Sequence, residues 1–578
     1  MVDKSDNEAK IGECQHTSYH LPQWDENGKC SWVDIQRQHK SLNAEAKCIV
    51  PPTKVIPVIF IPGIMGTNLK HKYTKESLWK SDLTLGIDST YLIPKSGAER
   101  REILNPDTTI IDNRKASVSP KIHTRFSDDG GLFPTRYERH WGEALYLSYG
   151  EFLSTFQYAL LDDWQKHIAK MAKMAKMANM KKYLYDEERN TGVLSHLIDK
   201  KLGDKNDSPL NKEELEHFKL FLFPVHVFGY NWLVDNATSA EELVKYIDEV
   251  LKTYKNKHGY GLAIEKVILV THSMGGLVAR YAMNPSEDST FKGCKDKVLG
   301  VVHGVIPDLG SPAAYRRIKT GAGQEGKIVG QVLGGTARTL MPVLARATSA
   351  LQLLPYPTYK SPWLTIKNDD SYPKVKDPKT NKNDPFSEIY LRNDVWWKMY
   401  EPDIIDSDPL TIKNNWNEYS NLMRNKVKTF MLHQEKGLYH PNTYVFYGNE
   451  VKSDNWLEWK LEYEGKPSFN TGMFSLDKDK YREQISNNRY MDVKKDGSWY
   501  QQFVLIPSEK EGDGTVPIES LYAINNSSDV KSILKTNVEH QSAYGVDGVE
   551  FSEFTNAVKF TLRSIIKMVQ DINADKAK

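Results

Sequence analysis

The sequence predicts an α/β protein built on a mostly parallel central sheet, and three stretches carry that prediction. Val55-Ile56-Pro57-Val58-Ile59-Phe60-Ile61 and Val267-Ile268-Leu269-Val270 are continuous apolar, β-branched runs. Such runs suit central strands buried on both faces, not the alternation of a sheet wetted on one side. The third stretch, Leu277-Val278-Ala279-Arg280-Tyr281-Ala282, reads as a helix and follows the second run after a short turn. Strand, turn and helix in succession is the unit from which parallel sheets are built.

Size and composition bound the rest. At 578 residues the chain fits either two domains or one core enlarged by insertions. Lys+Arg 77 against Asp+Glu 75 leaves a net charge of +2, so no global field draws it to nucleic acid. Abundant aromatics (Tyr 30, Trp 13, Phe 19) argue against general disorder. Cys14, Cys30 and Cys48 fall at spacings that match no zinc pattern, and Cys294 stands apart; plain thiols are expected, with a disulfide among the first three as the alternative. The opening Met1-Val2-Asp3-Lys4-Ser5-Asp6 is polar, and no apolar run reaches the roughly 18 residues of a membrane helix. The expectation is synthesis in the cytoplasm without a signal peptide, any work elsewhere needing a signal-independent route.

In chain order, residues 1–50 read as a polar lead segment. Residues 51–71 hold the first strand and the Pro62-Gly63-Ile64-Met65-Gly66 loop. Residues 72–214 exceed a simple crossover between parallel strands and are expected to form a first cap. Within them Tyr149 to Tyr183 reads as helical, ending in the triplets Ala169-Lys170-Met171, Ala172-Lys173-Met174 and Ala175-Lys176-Met177. A three-residue repeat drifts around a helix, which fits either a lipid-touching lid or a solvated helix with a partly buried methionine stripe. Residues 215–312 return to the core: a strand within Phe221–Gly229, a helix opened by a Ser239-x-x-Glu242 capping box, the 267–270 strand, and Val298–Ile306. Residues 313–440 are expected to form a second cap. Residues 441–578 complete the core with Asn442–Gly448, one arm of an antiparallel hairpin at Trp456–Tyr463, and a closing helix with Phe551, Phe554, Val558, Leu562, Ile565 and Val569 on one face.

The chemistry-bearing residues gather around Thr271-His272-Ser273-Met274-Gly275-Gly276. A serine on a sharp strand-to-helix turn is the context of a nucleophile elbow, although Thr271 stands where glycine is usual. A serine hydroxyl needs a base to take its proton, and the base needs an acid to fix its tautomer. Asp513, between two glycines after a strand, is the acid candidate; Asp308, one strand after the elbow, is its rival. His540 is the base candidate. His272 neighbours the serine but points away from it, His303 reads as core, and His433 and His440 precede a strand on the wrong edge. The Met65 amide is a candidate oxyanion donor, or its loop is an ordinary strand-end turn; the Met274 amide, next after the serine, is the second donor.

These motifs occur together in one order: Pro62-Gly63-Ile64-Met65-Gly66, Phe228-Gly229-Tyr230-Asn231-Trp232, the Ser273 elbow, Gly512-Asp513-Gly514-Thr515-Val516-Pro517 and His540. As a set they resemble the lecithin:cholesterol acyltransferase-like branch of α/β-hydrolases, which includes phospholipid:diacylglycerol acyltransferases and GPI inositol-deacylase-like lipases. The resemblance covers the core segments, about half the chain, and not the caps. It implies a triad of Ser273, Asp513 and His540 with Met65 and Met274 at the oxyanion hole, and no metal or other cofactor. Asn231-Trp232-Leu233 departs from the family's frequent Asp-Trp-Arg. The stretches around Val302-His303-Gly304-Val305 and Ala313-Ala314-Tyr315-Arg316-Arg317 are similar to bacterial lipases linked to type VI secretion. That implies a phospholipid or acyl-lipid substrate at a membrane surface, and an inhibitory immunity protein as partner. The expected activity is phospholipase A-like hydrolysis; an acyltransferase, or a non-catalytic lipid- or protein-binding module, remains as an alternative.

Overall fold

The structure is a computed structural model. It describes residues 16–20, 23–24, 30–32, 44–48, 52–82, 86–114, 132–162, 185–186, 191–204, 207–256, 261–323, 330, 332, 334–367, 370–405, 409–465, 480–483, 489–494, 500–546 and 553–573. The Ala-Lys-Met triplets, Cys14 and Phe551 lie outside the described residues.

Two six-stranded sheets organise the described residues. In chain order their strands are β1 Val58–Ile61, β2 Val225–Val227, β3 Val267–His272, β4 Val298–Gly304, β5 Leu364–Ile366, β6 Asp370–Tyr372, β7 Thr443–Gly448, β8 Val451–Gly465, β9 Lys480–Glu483, β10 Arg489–Lys494, β11 Tyr500–Gly512 and β12 Val530–Thr536. The central sheet runs β2-β1-β3-β4-β7-β12. Every pairing in it is parallel. The carboxyl ends of its strands therefore share one edge, where ligands of α/β folds bind. This is the mostly parallel α/β sheet that the apolar runs predicted, in the α/β-hydrolase architecture that the family resemblance implied. No helix among the described residues is long and apolar enough to cross a membrane.

The helices that matter for the site are α1 Tyr146–Leu161, α2 Asn236–Asn256, α3 Gly275–Met283, α4 Pro312–Thr320 and α5 Asn556–Met568. Successive side chains of a strand point to opposite faces, and β1 shows which helix takes which. The Phe60 ring lies 5.1 Å from Tyr149 and 5.3 Å from Phe152, so α1 covers its side. Ile61 meets Gly275, so α3 covers the other. In α5, Val558, Leu562 and Ile565 are fully buried, with Val569 just beyond it.

Three expectations need revision. First, α1 falls in the segment 72–214, expected to be a cap, yet it is a layer of the core: Phe152, Phe156, Ala159 and Leu160 are all buried. Second, α2 starts at Asn236, ahead of the Ser239 capping box. The Asp235 carboxylate accepts from the Ala237 N–H at 3.0 Å, so an earlier cap wins and Ser239 is buried in the first turn. Third, Trp456–Tyr463 belongs to no simple hairpin. Its strand β8 pairs antiparallel with β11 inside a separate sheet ordered β6-β5-β8-β11-β10-β9. That sheet joins strands from 313–440 with strands from 441–578.

Candidate active site

Strand β3 ends at His272, and the chain turns sharply at Ser273, whose φ is +52°. A non-glycine residue with positive φ is strained, and such strain gathers at functional turns. The Ser273 N–H donates to the Gly304 carbonyl at the end of β4 (2.9 Å), which fixes the turn. Close approach then requires glycine on either side of it. A Cβ on Gly275 would stand 2.5 Å from the Pro62 carbonyl oxygen and 2.6 Å from that of Ile61. One on Gly63 would stand 2.9 Å from His272 Nδ1 and 3.1 Å from Ser273 Cβ. Thr271, in place of the usual glycine, is accommodated because its side chain turns towards β4, where Oγ1 meets His303 Nδ1 at 2.9 Å.

The structure brings Ser273, His540 and Asp513 together. His540 Nε2 lies 2.8 Å from Ser273 Oγ, and His540 Nδ1 lies 2.7 Å from Asp513 Oδ2. A carboxylate only accepts, so Nδ1 carries the proton and Nε2 is left to accept from the serine hydroxyl. Asp513 is fully buried, and its other oxygen accepts the Thr515 and Val516 N–H groups at 3.0 and 2.7 Å. His540 follows β12, and its N–H donates to the Asp513 carbonyl at 2.7 Å. The acid candidate, Asp513, arrives by an unexpected route, at the end of β11 in the second sheet. Helix α4 braces it: the Ser311 hydroxyl donates to the Thr515 carbonyl at 2.7 Å. Ser273 and His540 are only 3 % and 8 % exposed.

The competing candidates stand elsewhere. Asp308 pairs with the Arg280 guanidinium and accepts from the Tyr439 hydroxyl, all buried. His303 lies within β4, and burial, with Arg280 nearby, pushes its pKa down to about 3. His433 meets the Asn284 carbonyl at 2.7 Å. His440 lines a separate cavity of about 890 Å³ with Lys266, Lys295 and Lys531, at the amino ends of the strands. His272 turns away from Ser273: Nδ1 meets the Tyr149 hydroxyl and Nε2 the His540 carbonyl, each at 2.8 Å.

Met65 has φ +61° and its carbonyl accepts from Trp79 Nε1 at 2.8 Å. Met274 is the N-cap of α3, where unpaired N–H groups favour negative charge. The Met65 and Met274 N–H groups have no hydrogen-bond partner among the described residues. The end of the Phe228-Gly229-Tyr230-Asn231-Trp232 stretch supports this loop. The Tyr230 hydroxyl donates to the Pro62 carbonyl at 3.0 Å, and the Trp232 ring packs 5.4 Å from Trp79. Trp79 and Tyr149 had no motif to announce them; both lie in the 72–214 segment, where Tyr149 was legible only as the start of a helical stretch. No group of metal-ligating side chains occurs among the described residues.

Comparison with curated proteins gave no match. Among solved structures, a chain from "The crystal structure of Tle4-Tli4 complex" superposes with a TM-score of 0.62 at 22% identity, covering 90% of this chain and 100% of that one. At that identity the likeness shows a common fold. The family profile described as lecithin:cholesterol acyltransferase matches residues 225–547, which span β2, the elbow, α4, the Asp513 loop and His540. With more than half its length matched, the chain belongs to the lecithin:cholesterol acyltransferase family.

Proposed function

We propose that this protein is a serine-dependent lipase that hydrolyses ester-linked acyl chains of phospholipids, in the manner of a phospholipase A. The observation that carries the reading is the unbroken hydrogen-bond chain from Ser273 Oγ through His540 to Asp513. Ser273 Oγ attacks the acyl carbonyl carbon as His540 Nε2 takes its proton. The carbonyl oxygen becomes an oxyanion held by the Met65 and Met274 N–H groups, each such donor worth about 3 kcal/mol in the transition state. Asp513 stabilises the imidazolium without taking its proton. His540 then protonates the leaving alcohol, the carbon–oxygen bond breaks, and the acyl chain remains on Ser273. Water, deprotonated by His540, releases the fatty acid. Ser273 is almost fully covered, so a lipid reaches it only after local opening.

Replacing Ser273 by alanine is expected to lower phospholipid hydrolysis by several powers of ten with folding intact. Undiminished hydrolysis by that variant removes the proposal. Family membership favours a second reading, transfer of the same acyl group to an alcohol. Product analysis with and without an acceptor lipid separates the two. Failure of a fluorophosphonate to label Ser273 would instead leave a non-catalytic binding module. The Tle4 structure is that of a complex with Tli4, which supports a cognate immunity protein for this chain too. We extend the reading to an antibacterial toxin exported by type VI secretion, tested by whether the chain harms susceptible cells lacking such a partner.

A further inference from the structure

Tyr149 and His272 are outside the proton path proposed for Ser273, yet both are buried beside it. Tyr149 sits in the first turn of α1, and His272 is the last residue of β3. Four groups from four segments form one line. The Gly63 N–H meets the Tyr149 hydroxyl at 3.1 Å, that hydroxyl meets His272 Nδ1 at 2.8 Å, and His272 Nε2 meets the His540 carbonyl at 2.8 Å.

The direction of every bond follows from the groups themselves. A carbonyl oxygen only accepts, so His272 Nε2 carries a proton. Burial, with His540 nearby, holds the His272 pKa down to about 3, so the ring is neutral and Nδ1 accepts. The Tyr149 O–H therefore donates to Nδ1, and its oxygen is left to accept the Gly63 N–H. All three bonds are satisfied at once, and the tautomer with its proton on Nδ1 would leave Nε2 with nothing to donate to the His540 carbonyl.

Gly63 lies two residues before Met65 in the oxyanion loop, and His540 is the base. These groups must act on the same transition state, on loops far apart in the chain. Displacement by about 1 Å at such groups can cost about a hundredfold in rate. We propose that Tyr149 and His272 are positioning residues forming a relay that locks the oxyanion loop to the base loop, so that both are set in register before substrate enters. The His540 backbone is thereby clamped on both sides, its N–H by the Asp513 carbonyl at 2.7 Å and its carbonyl by His272. The inference rests on the assignment of Ser273 and His540 made above.

The test uses the full chain and a soluble p-nitrophenyl ester, with Ser273→Ala as the zero. Tyr149→Phe keeps the ring against Phe60 and removes the hydroxyl. His272→Phe removes both ends of the ring's polarity, and His272→Gln restores an N–H donor and an oxygen acceptor. The relay predicts that Tyr149→Phe lowers kcat about tenfold or more at unchanged KM. His272→Phe falls at least as far, His272→Gln recovers part of the loss, and the double Phe variant is no worse than the weaker single. Fluorophosphonate labelling of Ser273 slows in parallel. If Tyr149→Phe merely melts earlier and turns over at the wild-type rate when folded, the relay is wrong. Losses that multiply in the double variant also refute it. Activity remaining in Ser273→Ala defeats the underlying assignment instead, so the two failures are distinguishable.

Discussion

Asp513 and Asp308 both follow strands at the rim of the same core, and the hydrogen bonds they accept separate them. Asp513 gives one oxygen to two backbone amides and the other to His540 Nδ1. Asp308 gives both of its oxygens to Arg280 and Tyr439, none to an imidazole. Asp513→Asn keeps an oxygen for the two amides but turns an NH2 towards Nδ1. His540 must then carry its proton on Nε2, where it cannot accept from Ser273. Turnover of a soluble ester is expected to fall about 10⁴-fold, with the melting temperature little changed. Asp308→Asn leaves the Arg280 charge buried without its partner, which typically costs about 3–5 kcal/mol. Its expected signature is lower stability in urea, with near-normal turnover per folded molecule. An Asp308→Asn variant that folds normally but is inactive would transfer the acid role to the rival residue.

At the scale of elements, the elbow was legible because its constraints are local. A buried strand, a serine and two glycines fit in ten residues, and Gly275 states the reason for its own identity. A Cβ there meets two backbone oxygens of β1 and its loop, neither of which can swing aside as a side chain would. Gly275→Ala is expected to cost about 1–3 kcal/mol by overpacking and to push α3 off β1, carrying the Met274 amide with it. Thermal melting and the rate of fluorophosphonate labelling should fall together; normal labelling in that variant would mean the helix start has slack. What was not legible is non-local. Nothing around Tyr149 marks α1 as a layer of the sheet, because its partner Phe60 lies in a strand far upstream. The second sheet was hidden for the same reason. Strand β8 pairs with β11 across an intervening hairpin, and β5 joins them from a segment that reads as cap. The Ser239 box misled because a capping signature is scored without knowing that Asp235 already ends the preceding turn.

For the whole molecule, a net charge of +2 gives little global repulsion, so stability against acid falls to individual buried groups. His272 on β3 and His303 on β4 are held down to about 3, and His440, just before β7, to about 4. Burial is the leading cause in each. His433 is lowered too, again chiefly by burial. His140 opposes them: burial acts to lower its pKa, but the hydrogen bond and charge of Glu143 raise it on balance. In the unfolded chain all five titrate near pH 6.5 (about 6.5 for a free histidine). A depressed folded pKa means that the unfolded chain binds the proton first, so the stabilisation is complete above about pH 6.5 and is lost as pH falls towards the folded values. His140 has the reverse sign and offsets one of the four. Stability should therefore drop between about pH 6.5 and 5 by about 1.4 kcal/mol per pH unit for each net histidine, offset in part by Asp207 and Glu242, whose carboxyl pKa values burial raises. Urea unfolding at pH 7.5, 6 and 5 measures the slope. His303→Asn should flatten it by one proton, because that ring makes a hydrogen bond only to Thr271 and buries its other nitrogen without a partner among the described residues. A midpoint that does not move between pH 7.5 and 5 would show that these imidazoles take up protons while folded, and that the elbow beside His272 is wetter than its burial implies.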